Sequence, residues 1–308
     1  MTYLVAADLP SIPAGTRFRD LLKRPGILPI PGAYCGLAAI QARRAKFEAI
    51  YLSGAAMSAS MGLPDLGILT IDDVCFFIRQ VVRAAQLPVL VDGDTGFGEA
   101  LNVMNMVRAF EDAGAAAVQI EDQVLPKKCG HLNDKKLIAP KDMAAKIAAA
   151  AKARRHLYIV ARTDAAADEG IDAAIHRARL YIEAGADAIF PEALTDRDAF
   201  EQFAKAIPVP LLANMTEFGR TPFMTAQDFE TFGYKMVIWP VSALRMAAKA
   251  HADLYESIRN DGGTHRLVER MQTRAELYAT IGYHDYEALD SSIITSVTPE
   301  GMPQGKTR

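Results

Sequence analysis

Cysteine is scarce: Cys35, Cys75 and Cys129 are the three in 308 residues, too few and too scattered for a disulfide framework or a paired-cysteine metal site. That scarcity reads as a reduced, intracellular chain, and the cytoplasm is the expected location. Charge of one sign is also lacking, since 34 lysines and arginines face 37 aspartates and glutamates for a formal net charge of -3. No basic field of the kind that captures nucleic acid by counterion release follows from that balance, so a small-molecule ligand is expected and nucleic acid is not. No apolar run reaches the roughly 18 residues a membrane span needs, and the opening MTYLVAADLP lacks the basic head and long apolar stretch of a secretion signal. No membrane association is expected. A GxGxxG turn after the first apolar run is missing too, which argues against a dinucleotide-binding open sheet.

What the chain does contain is alternation. Half of its residues are apolar. Short β-branched runs recur between longer stretches of helical period: ILPIPGA at 27–33, AIYLSG at 49–54, PVLVDGD at 88–94, AAVQIED at 116–122, YIVARTD at 158–164, AIFPEA at 188–193, VPLLANM at 209–215 and MVIWPV at 236–241. Eight such units predict an α/β fold of the (β/α)8 TIM-barrel type rather than an open doubly wound sheet. No linker or low-complexity run divides the chain, so residues 1–308 read as a single barrel domain. Residues 262–308 form a polar helical extension with no strand to pair with, expected to pack on the barrel or on a partner subunit.

In a barrel the active site lies at the carboxyl ends of the strands, and here those ends are polar. They carry Ser53 and Gly54, Asp92 and Asp94, Glu121 and Asp122, Arg162 and Asp164, Glu192, then Asn214 and Thr216. All are expected to face one mouth. Asp92 and Asp94 stand two apart, which on a strand points both carboxylates to one face. With Glu121 and Asp65 of GLPDLG they can gather around a hard divalent cation, Mg2+ or Mn2+, held partly through water. A turn or helix cap is the competing reading of the aspartate pair. Arg162 reads either as a structural ion pair with Asp164 or as a fork for a substrate carboxylate. Arg245 and Arg274 fall on helices, where arginines are mostly solvated. Cys129 lies in a connection of about 17 residues, far longer than the usual two to six; such loops are commonly lids. Lys127, Lys128 and His131 are placed to favour its thiolate, and Gly130 frees the backbone to approach a ligand. The other histidines read as surface residues.

The segment IEDQVLPKKCGH, with VDGDTGFG before it and VARTDA, FPEA and LANMTEFG after it, resembles the isocitrate lyase and phosphoenolpyruvate mutase superfamily. The likeness runs from GAYCGLAAIQARRAKFEAIYLSG to MQTRAELY, and KKCGH is specific to the carbon–carbon bond lyases of that group. The resemblance implies a barrel whose eighth helix is exchanged between subunits of a homo-oligomer, a helix-swapped dimer or a tetramer. It implies Mg2+ at Asp92 and Asp94, with Asp65 and Glu121 in the outer sphere. Substrate contacts are implied for Ser53, Gly54, Ala55, Cys129, Gly130, Arg162, Glu192, Asn214, Met215, Thr216, Arg245 and Arg274. The implied chemistry is cleavage of a small tricarboxylate, 2-methylisocitrate, in propionate catabolism through the methylcitrate cycle; isocitrate and 2,3-dimethylmalate are the alternative substrates. Cys129 is then the proton donor, with Lys127, His131 and Glu121 as its catalytic neighbours, and Tyr51 and Glu121 are candidate acceptors of the hydroxyl proton. A non-catalytic metabolite-binding barrel is the alternative from outside enzymology.

Overall fold

The structure, a computed structural model, describes residues 2–130 and 134–294. Eight parallel strands are present: β1 (Leu28–Pro31), β2 (Ile50–Leu52), β3 (Val89–Asp92), β4 (Ala117–Glu121), β5 (Tyr158–Thr163), β6 (Ala188–Pro191), β7 (Leu212–Asn214) and β8 (Met236–Trp239). Pairing runs β2-β3-β4-β5-β6 in one ladder and β1-β8-β7 in another. Single bridges, Gly32 to Tyr51 and Ile189 to Leu211, join the two ladders at both seams. The sheet therefore closes on itself, as the (β/α)8 pattern predicts. Gly32 suits its seam because a Cβ there would lie 2.2 Å from the Pro240 carbonyl oxygen.

Alternation along each strand builds two cores, because successive side chains point to opposite faces. Leu28, Ile30, Tyr51, Leu90, Tyr158, Val160, Phe190, Leu212 and Ile238 belong to the cluster that fills the barrel. Their neighbours Ile50, Leu52, Val89, Val91, Val118, Ile120, Ile159 and Val237 belong to the larger cluster shared with the surrounding helices. A strand buried on both faces needs a continuous apolar run, which is why the eight runs stand out in the sequence. The amino-terminal end is plugged by the helix Ala14–Lys23, whose buried Gly15, Phe18, Leu21 and Leu22 recur at helical spacing; Phe18 reaches up from it to within 5.4 Å of the Tyr158 ring. Helix starts follow local chemistry. Thr70 and Thr225 each accept a hydrogen bond from the backbone three residues on and open capping boxes with Asp73 and Asp228.

The chain divides into two compact units, Pro10–Glu256 and Met1–Leu9 with Ser257–Arg308. The first is the barrel. In the second, the helices Arg274–Ile281 and Tyr283–Ile294 meet through stacked rings of Tyr278 and Tyr283, 4.4 Å apart. Among the described residues no helix is long and apolar enough to cross a membrane.

Below the barrel, Glu111 holds the start of β5. Its carboxylate accepts from the backbone N–H groups of Arg155, His156 and Leu157 at 2.6–2.9 Å. His156, expected on the surface, is half-buried here and its Nδ1 accepts from the Gly15 N–H at 3.3 Å. Burial alone would raise the Glu111 pKa, but the three N–H donors outweigh it and hold the group below its ordinary value. A depressed carboxylate contributes stability that is present above its unfolded pKa and lost as pH falls through the native one. Glu111→Gln is therefore expected to lower unfolding free energy near neutral pH by about 2–3 kcal/mol, as loss of hydrogen bonds to a charged group does. Urea titrations should show the gap between variant and wild type closing as pH falls below about 4.3, the ordinary glutamate value.

Candidate active site

The alternation that fills the lower barrel with apolar side chains places polar ones inward at the carboxyl end. Asp92 on β3, Gln119 and Glu121 on β4, and Arg162 on β5 are all buried there, with Glu192 just beyond β6 and Asn214 at the end of β7. A cavity of about 110 Å3 opens among them, and Tyr51, Ser53, Ala55, Asp65, Asp92, Lys127, Cys129, Gly130, Arg162, Glu192, Asn214, Thr216 and Arg245 contribute to its walls. Two strand-end acids expected at the mouth serve other ends. Asp122 turns outward, one step out of phase with Glu121, and accepts from Thr163, the Tyr181 hydroxyl and the Asp164 N–H at 2.8–3.0 Å. Asp164 pairs with cations beneath the cavity wall.

The carboxylates gather as expected, but by a different route for one of them. β3 stops at Asp92, and Asp94 sits in the following turn with φ of 46°, in the left-handed region. The turn, not strand alternation, brings the pair together: a Cβ built on Gly54 would lie 3.1 Å from an oxygen of each. Gly54, first residue of the helix Gly54–Ser60, donates its N–H to Asp92 Oδ2 at 3.0 Å, and Gln119 donates to Asp92 Oδ1 at 3.2 Å. The Tyr51 hydroxyl donates to Gln119 Oε1 at 2.7 Å, so a chain of donors ends on Asp92. Lys127 enters from the loop, its Nζ 2.5 Å from Asp65 Oδ1 and 2.8 Å from Asp94 Oδ1.

This cluster has more negative charge than its own cations neutralise. Burial pushes the Asp94 carboxyl up to about 6 despite the opposing pull of Lys127. Burial likewise raises Glu121 well above the carboxylate range, and among the described residues neither of its oxygens accepts a hydrogen bond. Lys127 would be discharged by burial alone, but Asp94, Glu121, Asp92 and Asp65 hold it protonated. Unused acceptor oxygens and under-neutralised carboxylates fit a hard divalent cation. Among the described residues no three acidic, histidine or cysteine side chains are close enough to hold an ion by themselves, so water and substrate oxygens would complete its shell.

Arg162 anchors the other side. Its Nε and Nη2 donate to Asp164 at 2.9 and 3.0 Å, its Nη1 lies 3.0 Å from Glu192 Oε2, and its Nε lies 3.4 Å from Glu121 Oε2. The ion pair with Asp164 that one sequence reading expected is present, and the arginine also lines the cavity. Cys129 is exposed on the loop above. Gln123 clamps that loop, donating to the Lys128 carbonyl at 2.8 Å and accepting from the Lys128 N–H at 3.0 Å. The Lys127 ammonium, expected beside the thiol, pairs with Asp65 and Asp94. His131 lies outside the described residues.

The remaining expected contacts divide. Thr216 and Arg245 reach the cavity, where Arg245 donates to Thr216 Oγ1 at 3.1 Å and pairs with Glu217 Oε2 at 2.9 Å. Met215 does not: it turns into the outer core, where its sulfur accepts from the Met224 N–H, as strand alternation after Asn214 requires. Arg274 begins a helix of the second unit. Sequence reasoning missed Gln119, Phe190 and Glu217. The first two were findable, since they stand two residues before Glu121 and Glu192 and so share their inward face.

A closed barrel with an acid cluster, a buried arginine fork and a thiol at its carboxyl end defines an α/β-barrel enzyme acting on a small anion. The sequence profile of the phosphoenolpyruvate phosphomutase family matches residues 18–259. A 2-methylisocitrate lyase of Bacillus subtilis (strain 168) is 54% identical, over 97% of this chain and 100% of that one. Among solved structures, a 2,3-dimethylmalate lyase, described as a member of the PEP mutase/isocitrate lyase superfamily, superposes with a TM-score of 0.87 at 32% identity, covering 96% of this chain and 100% of the other. A phosphonopyruvate hydrolase in complex with oxalate and Mg2+ superposes at 0.83 and 30% identity, over 92% and 100%. The chain belongs to the 2-methylisocitrate lyase family of the phosphoenolpyruvate mutase/isocitrate lyase superfamily.

Gly130 packs against the arginine fork so closely that a Cβ would lie 2.3 Å from Glu192 Cγ and 2.5 Å from Arg162 Nη2. Gly130→Ala is expected to cost about 1–3 kcal/mol of stability, the usual penalty of overpacking, read by chemical denaturation. Unchanged stability would mean that the loop stands further from Arg162.

Proposed function

We propose that this protein is a Mg2+-dependent carbon–carbon lyase that cleaves 2-methylisocitrate into pyruvate and succinate, working in the cytoplasm as a homo-oligomer. The observation that carries the reading is Cys129, in KKCGH, on the wall of the same cavity as Asp92 and Arg162. Asp92 and Asp94 would hold the cation, with Asp65 and Glu121 as the further acids around it. A divalent cation bound there would polarise the substrate hydroxyl and the carboxylate beside it.

The hydroxyl proton leaves, the bond between the hydroxyl-bearing carbon and its neighbour breaks, and the oxygen's electron pair becomes the pyruvate carbonyl. The bond's electrons pass to the succinate fragment, delocalised into its carboxylate. Arg162 and Asn214 supply the positive charge and the donor for that developing anion. Burial lowers the basicity of the Arg162 guanidinium, but Asp164, Glu121 and Glu192 more than restore it, so the fork stays charged. Cys129 then gives its thiol proton to the carbanion carbon. Tyr51 is unsuited to take the hydroxyl proton: burial and the nearby Asp92 raise its pKa well above the ordinary value, and its hydroxyl is already a donor to Gln119. Glu121 is the better candidate: burial raises its proton affinity, Arg162 and Lys127 favour its ionised form, and its oxygens accept no hydrogen bond among the described residues. Arg245, on the cavity wall, completes the carboxylate-binding set, and the family match in MQTRAELY is what supports a substrate contact for Arg274. Ala55 on the cavity wall leaves space for the substrate methyl, which is worth about 1–3 kcal/mol in discrimination against isocitrate.

Oligomerisation is supported by the helix Ser242–Asp261, whose twenty residues include none that is buried and which presents Met246 and Tyr255 to solvent. Sedimentation should give a mass above the 33.5 kDa of one chain. Pyruvate release from 2-methylisocitrate tests the activity, and glyoxylate from isocitrate in its place would overturn the substrate. Cys129→Ser is expected to lose about 100-fold or more in turnover while still binding substrate, the scale of a general-acid contribution. Chelation should abolish turnover and Mg2+ restore it; full activity in chelator would remove the cation from the site.

A further inference from the structure

Lys135 has no place in the reaction just described, yet its side chain is fully buried beside it. Its Nζ donates to the Gly130 carbonyl at 2.6 Å and to Asp164 Oδ1 at 3.2 Å, and neither side chain of the Lys135–Asp164 pair has solvent-exposed area. Asp164 gives the same oxygen, Oδ1, to Arg162 Nη2 at 3.0 Å, so a single carboxylate oxygen joins lysine and arginine. Gly130 in turn abuts Arg162 and Glu192 too closely to admit a Cβ. Burying an ammonium is costly unless it is paired and hydrogen-bonded; of these partners Gly130 lies on the cavity wall, and Asp164 lies behind it and holds Arg162, which does.

We propose that Lys135 is a positioning residue: it ties the Gly130 carbonyl to Asp164, and so fixes Gly130, the residue next to Cys129, relative to the Arg162 fork. The lysine touches no reacting atom. It acts through two intermediaries, the backbone of the residue that follows the proton-donating Cys129 and the carboxylate that aims the guanidinium. The Gln123 clamp secures the loop on the other side of Cys129, at Lys128, and leaves Gly130 to Lys135. The kinetic consequence rests on the lyase reading; the structural one does not.

The full-length protein with Lys135→Met tests this. Turnover is expected to fall about 100-fold with KM changed by less than about threefold, because misplacing a reacting group by about 1 Å costs rate more than binding. Backbone amides of residues 127–130 should exchange about tenfold faster while those of β3 to β5 do not change, the mark of local opening. In Lys135→Ala, ethylammonium should restore turnover saturably, which a merely structural lysine would not allow. Turnover within about twofold of wild type, or a loss that ethylammonium does not repair with exchange accelerated throughout the barrel, overturns the proposal. Should neither variant fold, Lys135→Arg retains a cation but displaces its donors; wild-type turnover in that variant would equally overturn it. Failure of the wild-type protein to cleave 2-methylisocitrate would remove the lyase reading instead, and amide exchange would still report on the tether.

Discussion

A buried guanidinium must be surrounded by carboxylates, and in this protein the demand of Arg162 organises the mouth of the barrel. Asp164 takes one edge of the fork, Glu192 meets Nη1, and Glu121 stands behind Nε. These groups come from β4, β5 and the turn after β6, so the arrangement exists only if those strands pair in register. Glu121 lies opposite Arg162, and Arg162 opposite Phe190, in the parallel ladder. Removing one partner from such a buried set leaves an uncompensated charge, which costs far more than the set contributes to stability. What the network supplies is a fixed cation at the cavity wall, with Gly130 and its thiol-bearing neighbour pressed against it.

The cavity also carries an excess of acid. Asp65, Asp92 and Asp94 converge with Glu121, which also meets Arg162; among the described residues Lys127 brings the ammonium there, and burial raises Asp94 and Glu121. Arginine fork and acid cluster thus form the two poles of one small cavity. A substrate with several carboxylates and a hydroxyl suits that polarity: anionic groups toward Arg162 and Arg245, and oxygens toward a cation held by the acids. The phosphonopyruvate hydrolase that shares the fold was solved with oxalate and Mg2+, a pairing of the same kind.

Much of this was legible before any coordinates, for physical reasons. Strands buried on both faces must be continuous apolar runs, so eight of them announced the barrel, and polar residues ending those runs announced the mouth. Alternation also made Gln119 and Phe190 deducible, and it explains why Asp122 and Met215, one step out of phase, face away. Geometry set by turns was not legible. Asp94 joins Asp92 through a left-handed turn, although the same DxD spacing suggested strand alternation. The pairing of Lys127 with Asp65 and Asp94 depends on how the loop folds back. So does Lys135, a lysine in a polar loop that nothing in the local pattern distinguishes from a solvated one. The plug helix Ala14–Lys23 was missed although Phe18, Leu21 and Leu22 recur at helical spacing, because it precedes the first strand and stands outside the strand–helix repeat.

The central claim is that bond cleavage leaves a carbanion on the succinate fragment and that a protein thiol quenches it. Running the reaction in D2O and analysing both products by mass spectrometry tests this directly. Because a thiol exchanges with solvent before it transfers its proton, the account predicts succinate carrying a single deuterium on the carbon that was cleaved, and pyruvate with an unlabelled methyl group. Deuterium in the pyruvate methyl, or succinate without label, would contradict it.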